Sequence, residues 1–93
     1  MILSFRGISA ALAAGCTVVM KASELCPWTH QLVLEVFKEA GLPAGALNQV
    51  HCARKDAAAV TEAMISHAAL RKIEFIGSAS VGRIVGSVAA KNI

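Results

Sequence analysis

Short apolar segments rich in β-branched residues alternate along this chain with stretches of helical periodicity, and this alternation constrains the fold more than any other feature. Residues 17–20, 47–52 and 73–76 are the predicted strands. The spacing of apolar residues predicts helices at 8–14, 29–40, Asp56 to Ile65, and 78–90. Strands that lie roughly 25–30 residues apart with a helix between them form βαβ units, so the sequence predicts a parallel sheet with right-handed crossovers.

The expected fold class is therefore α/β. We expect a three-layer, Rossmann-like fragment of a parallel sheet with about three strands and four helices. Hydrophobic residues make up 56% of the 93 residues, which fits strands that are covered on both faces. A sheet of three strands has two open edges, which whole domains usually protect. Residues 1–93 are thus expected to form part of a domain, and the chain looks incomplete.

Three residues mark the expected ends of helices. Gly15 and Gly41 follow apolar helical stretches, at the position where a left-handed residue often ends a helix. Pro27 stands where the first turn of a helix tolerates proline. These signals predict short connections between the strands and helices of the first half of the chain.

Charge and cysteine content argue against several classes of partner. The net charge of +3 is spread along the chain without a basic stripe, so we expect no nucleic-acid partner. The longest uncharged run, residues 7–20, is shorter than the ~20 residues of a membrane-spanning helix, so no membrane partner is expected. Arg6 followed by an apolar stretch and Cys16 loosely resembles a lipoprotein signal, which is the alternative. Three cysteines without metal or redox spacing favour reduced thiols and a cytoplasmic location.

Lys21 and Glu24 follow the first predicted strand, where open α/β sheets bind their ligands. A lysine can donate hydrogen bonds to hydroxyl oxygens, and a carboxylate can accept them from two neighbouring ribose hydroxyls. A carboxylate at this place also repels a 2′-phosphate, which favours NAD over NADP. The alternative is an exposed loop with a charge pair at i, i+3.

Gly77 and Ser78 begin the last predicted helix, whose backbone N–H groups and hydroxyl could approach a pyrophosphate. The alternative is that Ser78 caps the helix. The dinucleotide fingerprint G-x-G-x-x-G is incomplete, because only Gly77 and Gly82 are present. On pattern alone these residues are a candidate phosphate site and no more.

No set of residues in the sequence has the arrangement of a catalytic or metal centre. The histidines have no carboxylate or cysteine at a spacing that suggests a triad or a metal, and we interpret each as a surface or cap residue. They are His30, His51 and His67. We therefore predict no catalytic residue and no metal ligand within these 93 residues.

Three segments resemble the cofactor-binding domain of aldehyde dehydrogenases, in their order and in their spacing. They are Ala-Leu-Ala-Ala-Gly-Cys-Thr-Val-Val-Met-Lys-Ala-Ser-Glu at 11–24, Glu-Ala-Gly-Leu-Pro at 39–43, and Phe-Ile-Gly-Ser-Ala-Ser-Val-Gly-Arg at 75–83. The string Lys-Ala-Ser-Glu-Leu-Cys-Pro, followed by His30, is most similar to the salicylaldehyde and vanillin dehydrogenase branch. At Cys52, where most of the family has a glycine-rich turn, the chain departs from the pattern in the way this branch does.

The resemblance implies a role in oxidising an aldehyde, here an aromatic one, to the carboxylic acid with NAD, with NADP as the alternative cofactor. By that resemblance Lys21 and Glu24 would hold the adenosine ribose and Ser78 the pyrophosphate. Gly77 and Val81 would line the adenine and phosphate groove. The family forms homo-oligomers, so a homo-oligomer is expected of the intact enzyme.

The same resemblance places the family's catalytic cysteine and general-base glutamate after the 75–83 segment, and its oxyanion-hole asparagine before Met1. The catalytic domain would then be absent, and the chain would supply part of the cofactor site without being active alone. Aldehyde substrate would bind only in a full-length enzyme. The competing hypothesis is a non-catalytic interaction or regulatory protein that pairs its open edges with an intact homologue.

Overall fold

The computed structural model describes residues 2–93, which form an α/β chain with four α-helices and one two-stranded parallel sheet. In chain order the elements are α1 (Ile2–Ala13), β1 (Val18–Lys21), α2 (Pro27–Glu39), β2 (Leu47–Val50), a 3₁₀ turn (Arg54–Asp56), α3 (Ala57–Ile65) and α4 (Ala79–Asn92). They fall into two compact units, the first ending at Cys52 and the second running over Ala53–Ile93. Met1 lies outside the described residues.

The first unit contains one βαβ motif, in which α2 connects two parallel strands. Val18 pairs with Leu47 and Lys21 with Val50. The ladder continues past the last strand residue, because the Ala22 N–H donates to the Val50 carbonyl over 2.9 Å. Parallel register brings the carboxyl ends of both strands to the same edge, so the segments that follow Lys21 and Val50 leave the sheet side by side.

Helices α1 and α2 pack together on one face of this sheet. The buried centre of the core consists of Ile8, Val33 and Leu47, one residue each from α1, α2 and β2. The Phe5 and Phe37 rings join the two helices with centroids 5.3 Å apart. The core cluster also includes Phe5, Leu12, Val18, Met20, Leu34, Phe37 and Leu42. Alternation along a strand turns Val19 to the other face, where it remains 48% exposed.

The predicted helix ends in this unit are confirmed. Gly15 and Gly41 have φ values of 78° and 88°, the left-handed conformation that a residue with a Cβ adopts only at a cost. Pro27 occupies the first turn of α2, where its missing N–H breaks no hydrogen bond. The exposed stretch around each glycine allows the chain to turn from a helix into the next strand.

One polar side chain lies on the apolar face of β2. Gln49 is two residues after Leu47 and therefore points to the same, helix-covered face. Its Oε1 and Nε2 atoms are both buried and have no hydrogen-bond partner among the described residues. A buried amide without partners destabilises a fold by its unrecovered desolvation, which makes Gln49 an unfavourable residue at this place.

The second unit is helical, and the prediction of a third strand at residues 73–76 was wrong. Helices α3 and α4 pack on each other, and each contributes one buried residue, Ile65 and Val85. Residues 73–76 form no ladder among the described residues, and Phe75 and Ile76 are exposed. A β-strand exists only with a partner strand, and the second unit contains none.

Among residues 2–93, no helix is both long and apolar enough to cross a membrane.

Candidate functional site

The turn that joins β1 to α2 brings two opposite charges together at the carboxyl end of the sheet. Lys21 is the last residue of β1, and its Nζ forms an ion pair with Glu24 Oε1. The Lys21 ammonium also lies 3.5 Å from the Ala22 carbonyl oxygen. Ala22 itself is buried, which anchors the start of the turn against the sheet. The charge pair that the sequence predicted is thus formed, at the edge of the sheet where α/β proteins bind ligands.

Two hydrogen bonds to Ser23 shape the rest of this turn. The Ser23 Oγ accepts from the Leu25 N–H over 3.2 Å, which is a short turn closed by a serine side chain. The Ser23 N–H donates to Nδ1 of His30 over 3.0 Å. His30 lies in the first turns of α2, so this bond ties the turn to the helix that follows it.

The ion pair of Lys21 and Glu24 contributes little to stability. The two side chains are 21% and 22% exposed, and pairs that water reaches contribute about 0–1 kcal/mol. A ligand can therefore take over their hydrogen bonds at small cost. The ammonium is a donor and the carboxylate an acceptor, and neighbouring ribose hydroxyls can do both. The pair therefore offers one donor and one acceptor to neighbouring hydroxyls.

The exit of β2 brings a thiol near this pair and an imidazole whose charge acts on His30. Cys52 Sγ lies 4.0 Å from Glu24 Oε1, the long separation of a weak thiol hydrogen bond. His51 is exposed and its charge acts on His30. Burial, which contributes most, and the charge of His51 lower the pKa of His30 below its ordinary value of 6.5. The lowered pKa favours the neutral imidazole, which the acceptor role of His30 requires.

In the second unit, Ser78 caps α4. Its Oγ accepts from the Val81 N–H over 3.4 Å and lies 3.1 Å from Ser80 Oγ. The capping alternative for Ser78 is therefore what the structure shows. A capping hydroxyl at a helix N-terminus can also face an anion, so the cap leaves the predicted phosphate role open.

The Phe75 ring packs against the two glycines of this segment. A Cβ on Gly77 would meet Phe75 Cζ at 2.6 Å, and one on Gly82 would meet Phe75 Cε1 at 3.3 Å. Glycine at position 77 thus makes room for an aromatic ring of its own segment. The sequence pattern predicts Gly77 only as part of the cofactor and phosphate groove, and it carries no signal for this contact.

Replacing Gly77 by alanine tests this packing. We expect Gly77→Ala to displace the Phe75 ring and to lower the free energy of unfolding by about 1 kcal/mol, since the 39% exposed ring can swing aside. Gly86→Ala is the matched control, because its Cβ meets nothing within 4 Å. In the middle of α4 it should stabilise by about 0.5–1 kcal/mol. Urea unfolding of both variants measures the difference, and equal stabilities would contradict the contact.

A separate apolar groove of about 320 Å³ lies at the opposite end of β2. It is lined by Leu34, Lys38, Leu42, Pro43, Ala44, Gly45 and Leu47. Leu47 begins β2, whereas Lys21 is the last residue of the paired strand β1 and Glu24 follows that strand. The groove carries no pair of polar groups like that of the β1–α2 turn, and we assign the chemistry to the turn.

The predicted residues divide between the two units. Lys21 and Glu24 contact each other in the first unit, while Gly77, Ser78 and Val81 begin α4 in the second. The hydrogen bond between Ser23 and His30 was not predicted, because the sequence pattern indicated only a surface or cap residue at His30. A seven-residue separation between a turn serine and a histidine in the next helix is the only sequence signal for that link.

The first unit is a βαβ motif with a donor and an acceptor at the carboxyl edge of its sheet, which is the edge where α/β proteins bind ligands. The profile of the aldehyde dehydrogenase family matches residues 1–93, and the chain belongs to that family. Vanillin dehydrogenase of Pseudomonas sp. (strain HR199 / DSM 7063) is 44% identical over 93 residues, which is 100% of this chain and 19% of that protein. The predicted resemblance to this family is confirmed.

Two further relatives show the range of named substrates. Salicylaldehyde dehydrogenase of Pseudomonas putida is 40% identical over 92 residues, covering 99% of this chain and 19% of that protein. The mitochondrial succinate-semialdehyde dehydrogenase of Homo sapiens is 41% identical over 88 residues, covering 95% of this chain and 16% of that protein. The chain thus spans less than a fifth of the length of these relatives.

Proposed function

We propose that residues 1–93 are part of the NAD(P)-binding domain of an aldehyde dehydrogenase, and that the β1–α2 turn binds the adenosine ribose of the cofactor. The observation that carries the proposal is the convergence of Lys21 Nζ and Glu24 Oε1 at the carboxyl edge of the parallel sheet. An ammonium and a carboxylate at one point offer a donor and an acceptor to adjacent hydroxyls. Family membership supports the same assignment.

The segment before α4 would take the phosphates. Ser78 offers its hydroxyl and the N-terminus of a helix to the pyrophosphate, and Gly77 and Val81 would line the groove beside it. The bound cofactor accepts the hydride of the aldehyde, while these residues bind and orient it. Because the Glu24 carboxylate repels a 2′-phosphate, we propose NAD as the preferred cofactor.

We propose an aromatic aldehyde as the substrate class, since vanillin and salicylaldehyde dehydrogenases are among the relatives. Cys16 and Cys26 are exposed free thiols, and we give neither of them nor Cys52 a catalytic role. Residues 1–93 alone are accordingly expected to bind cofactor without oxidising aldehyde. For the intact enzyme we propose a homo-oligomer that works in the reducing environment of the cytoplasm.

A titration of the 93-residue chain with NAD tests the ribose site. We expect weak binding, with a Kd on the order of millimolar, observed as NAD-induced shifts of the amide resonances of residues 21–25 in NMR spectra. Removing both charges in a Lys21→Ala, Glu24→Ala variant should weaken binding about tenfold or more, because hydrogen bonds to charged groups contribute ~1.5–3 kcal/mol each.

The matched control is a Glu35→Ala, Lys38→Ala variant. These two residues are exposed on α2, carry the same pair of charges and have the same i, i+3 spacing. The control variant should bind NAD like the unaltered chain. Equal affinity of the two double variants, or no NAD-induced shift in the unaltered chain, would contradict the proposed roles.

A second candidate function is a non-catalytic interaction protein that pairs with an intact homologue. It is favoured by large apolar side chains left in water, with Leu25 83% and Trp28 72% exposed. Exposed apolar surface of this kind often marks a contact with another protein. Size-exclusion chromatography with light scattering distinguishes the candidates, because a stable monomer at high concentration removes the need for a partner.

A further inference from the structure

His30 is the one histidine of the described chain whose ring is tied to the candidate ribose site. Its Nδ1 accepts the Ser23 N–H over 3.0 Å, and Ser23 lies between Ala22 and Glu24. The ring is half-buried in the first turns of α2. Through this bond the helix holds the middle of the turn that presents Lys21 and Glu24.

The bond exists only while His30 is neutral. A neutral imidazole has one unprotonated nitrogen that accepts and one N–H that donates, whereas an imidazolium has two donors and no acceptor. With Nδ1 accepting from Ser23, the proton of neutral His30 is on Nε2. A second proton would set an N–H of the ring against the N–H of Ser23, and the link would be lost.

Burial and a neighbouring charge disfavour that second proton. Burial has the largest effect, and the charge of His51, at the exit of β2, adds to it. Within the turn, Lys21 and Glu24 form an ion pair with each other, so the negative charge of the Glu24 carboxylate is balanced by the Lys21 ammonium. The pKa of His30 is lowered in consequence.

We propose that neutral His30 is a positioning residue that fixes residues 22–25 through the Ser23 N–H, and that its protonation releases the turn and disorganises the Lys21–Glu24 pair. The structural part of this proposal stands on the hydrogen bond alone. The consequence for cofactor, weaker binding of NAD in acid, rests on the proposed function.

The sign of the pH dependence follows from the direction of the pKa shift. The folded chain has a His30 pKa below 6.5, so below that pH the unfolded chain takes up its proton first. His30 therefore contributes stability that is fully present above about pH 6.5 and is lost as the pH falls through the folded-state pKa. The turn should be ordered at neutral pH and released in mild acid.

NMR of the 15N-labelled 93-residue chain tests the link without any cofactor. At about pH 7.5 we expect a scalar coupling across the N–H···N bond between Ser23 N and His30 Nδ1, with the imidazole proton on Nε2. Below the folded-state pKa the coupling should vanish, and the amide resonances of Lys21 and Glu24 should shift with the same midpoint. Absence of the coupling at neutral pH overturns the proposal.

Two substitutions separate a positioning role from a merely structural one. Asparagine places an amide oxygen close to the position of Nδ1, so His30→Asn should keep Ser23 bonded and make the Lys21 and Glu24 resonances independent of pH between about 5 and 7.5. His30→Leu removes the acceptor, and the turn should exchange its amide protons roughly tenfold faster at neutral pH. If both variants behave like the unaltered chain, the proposal is overturned.

An NAD titration of the same variants tests the consequence for cofactor. At about pH 7.5, His30→Leu should weaken NAD binding roughly threefold to tenfold, and His30→Asn should bind as the unaltered chain does but without its loss in acid. His67→Leu is the matched control, because His67 Nδ1 accepts the Ala69 N–H over 3.2 Å in the second unit. It should leave NAD binding unchanged, and a loss equal to that of His30→Leu would overturn the proposed specificity of the link.

The experiments distinguish failure of the ribose site from failure of the positioning role of His30. If the unaltered chain binds no NAD while the Ser23–His30 coupling and its pH response are present, the ribose site is wrong and the link stands. If NAD binds and His30→Leu leaves both the turn and the affinity unchanged, the ribose site stands and the positioning role is wrong.

Discussion

Leu47→Ala is expected to lower the free energy of unfolding by about 2–5 kcal/mol, the range for truncating a buried leucine. Leu47 is 7% exposed and lies with Ile8 and Val33 in the buried centre of the first unit. It is also the first residue of β2, opposite Val18, so its side chain holds the strand against both helices. The total free energy of unfolding of a small domain is only about 5–15 kcal/mol, so the expected loss is a large fraction of it.

Leu25→Ala is the matched control for that experiment. It deletes the same atoms from a side chain that is 83% exposed, and the stability should change by less than about 0.5 kcal/mol. Urea unfolding followed by far-UV circular dichroism measures both variants. If Leu47→Ala costs no more than Leu25→Ala, the buried centre described for the first unit is incorrect.

Gln49→Met is expected to stabilise the chain by about 1–3 kcal/mol, because it removes a buried amide that has no hydrogen-bond partner among the described residues. Methionine has a similar length, and its flexible thioether fills irregular apolar space. The position faces the same side of the sheet as Leu47, so the new side chain joins the apolar core.

Gln31→Met makes the same substitution at a place where the amide is satisfied. Gln31 Nε2 donates to Glu35 Oε1 over 3.3 Å on the exposed surface of α2, and we expect a change within about 0.5 kcal/mol. The midpoint of urea unfolding should therefore rise for Gln49→Met alone. A lower midpoint for Gln49→Met would mean that the Gln49 amide has a partner in solution.

The sequence predicted the parts of the fold that depend on local pattern. Helical spacing of apolar residues and the glycines at 15 and 41 located the carboxyl-terminal ends of the first two helices, because these signals act within a few residues. Helix α1 begins at Ile2, six residues before the predicted start at residue 8. The third strand failed for the opposite reason. Residues 73–76 have a suitable composition, but a strand requires a hydrogen-bonded neighbour, and pairing is a property of distant segments.

The candidate site divides in the same way. The spacing of Lys21 and Glu24 at the end of a strand predicted a charged turn, which the structure contains. That this turn binds a ribose is a prediction from the family resemblance. The hydrogen bond from Ser23 to His30 depends on the path of the turn in space, which composition and spacing do not fix. The packing of the Phe75 ring against Gly77 depends on the direction of the Phe75 side chain, which the sequence pattern does not predict.

The parallel pairing of β1 with β2 also determines how fast the first unit can fold. Val18 and Leu47 are separated in sequence by the segment that contains α2. The chain must lose the conformational entropy of closing this long segment before the two strands can pair. The contacts of α3 with α4 join neighbouring helices instead. Non-local pairing slows folding, and we expect the sheet of the first unit to be the last native structure to appear when the chain refolds.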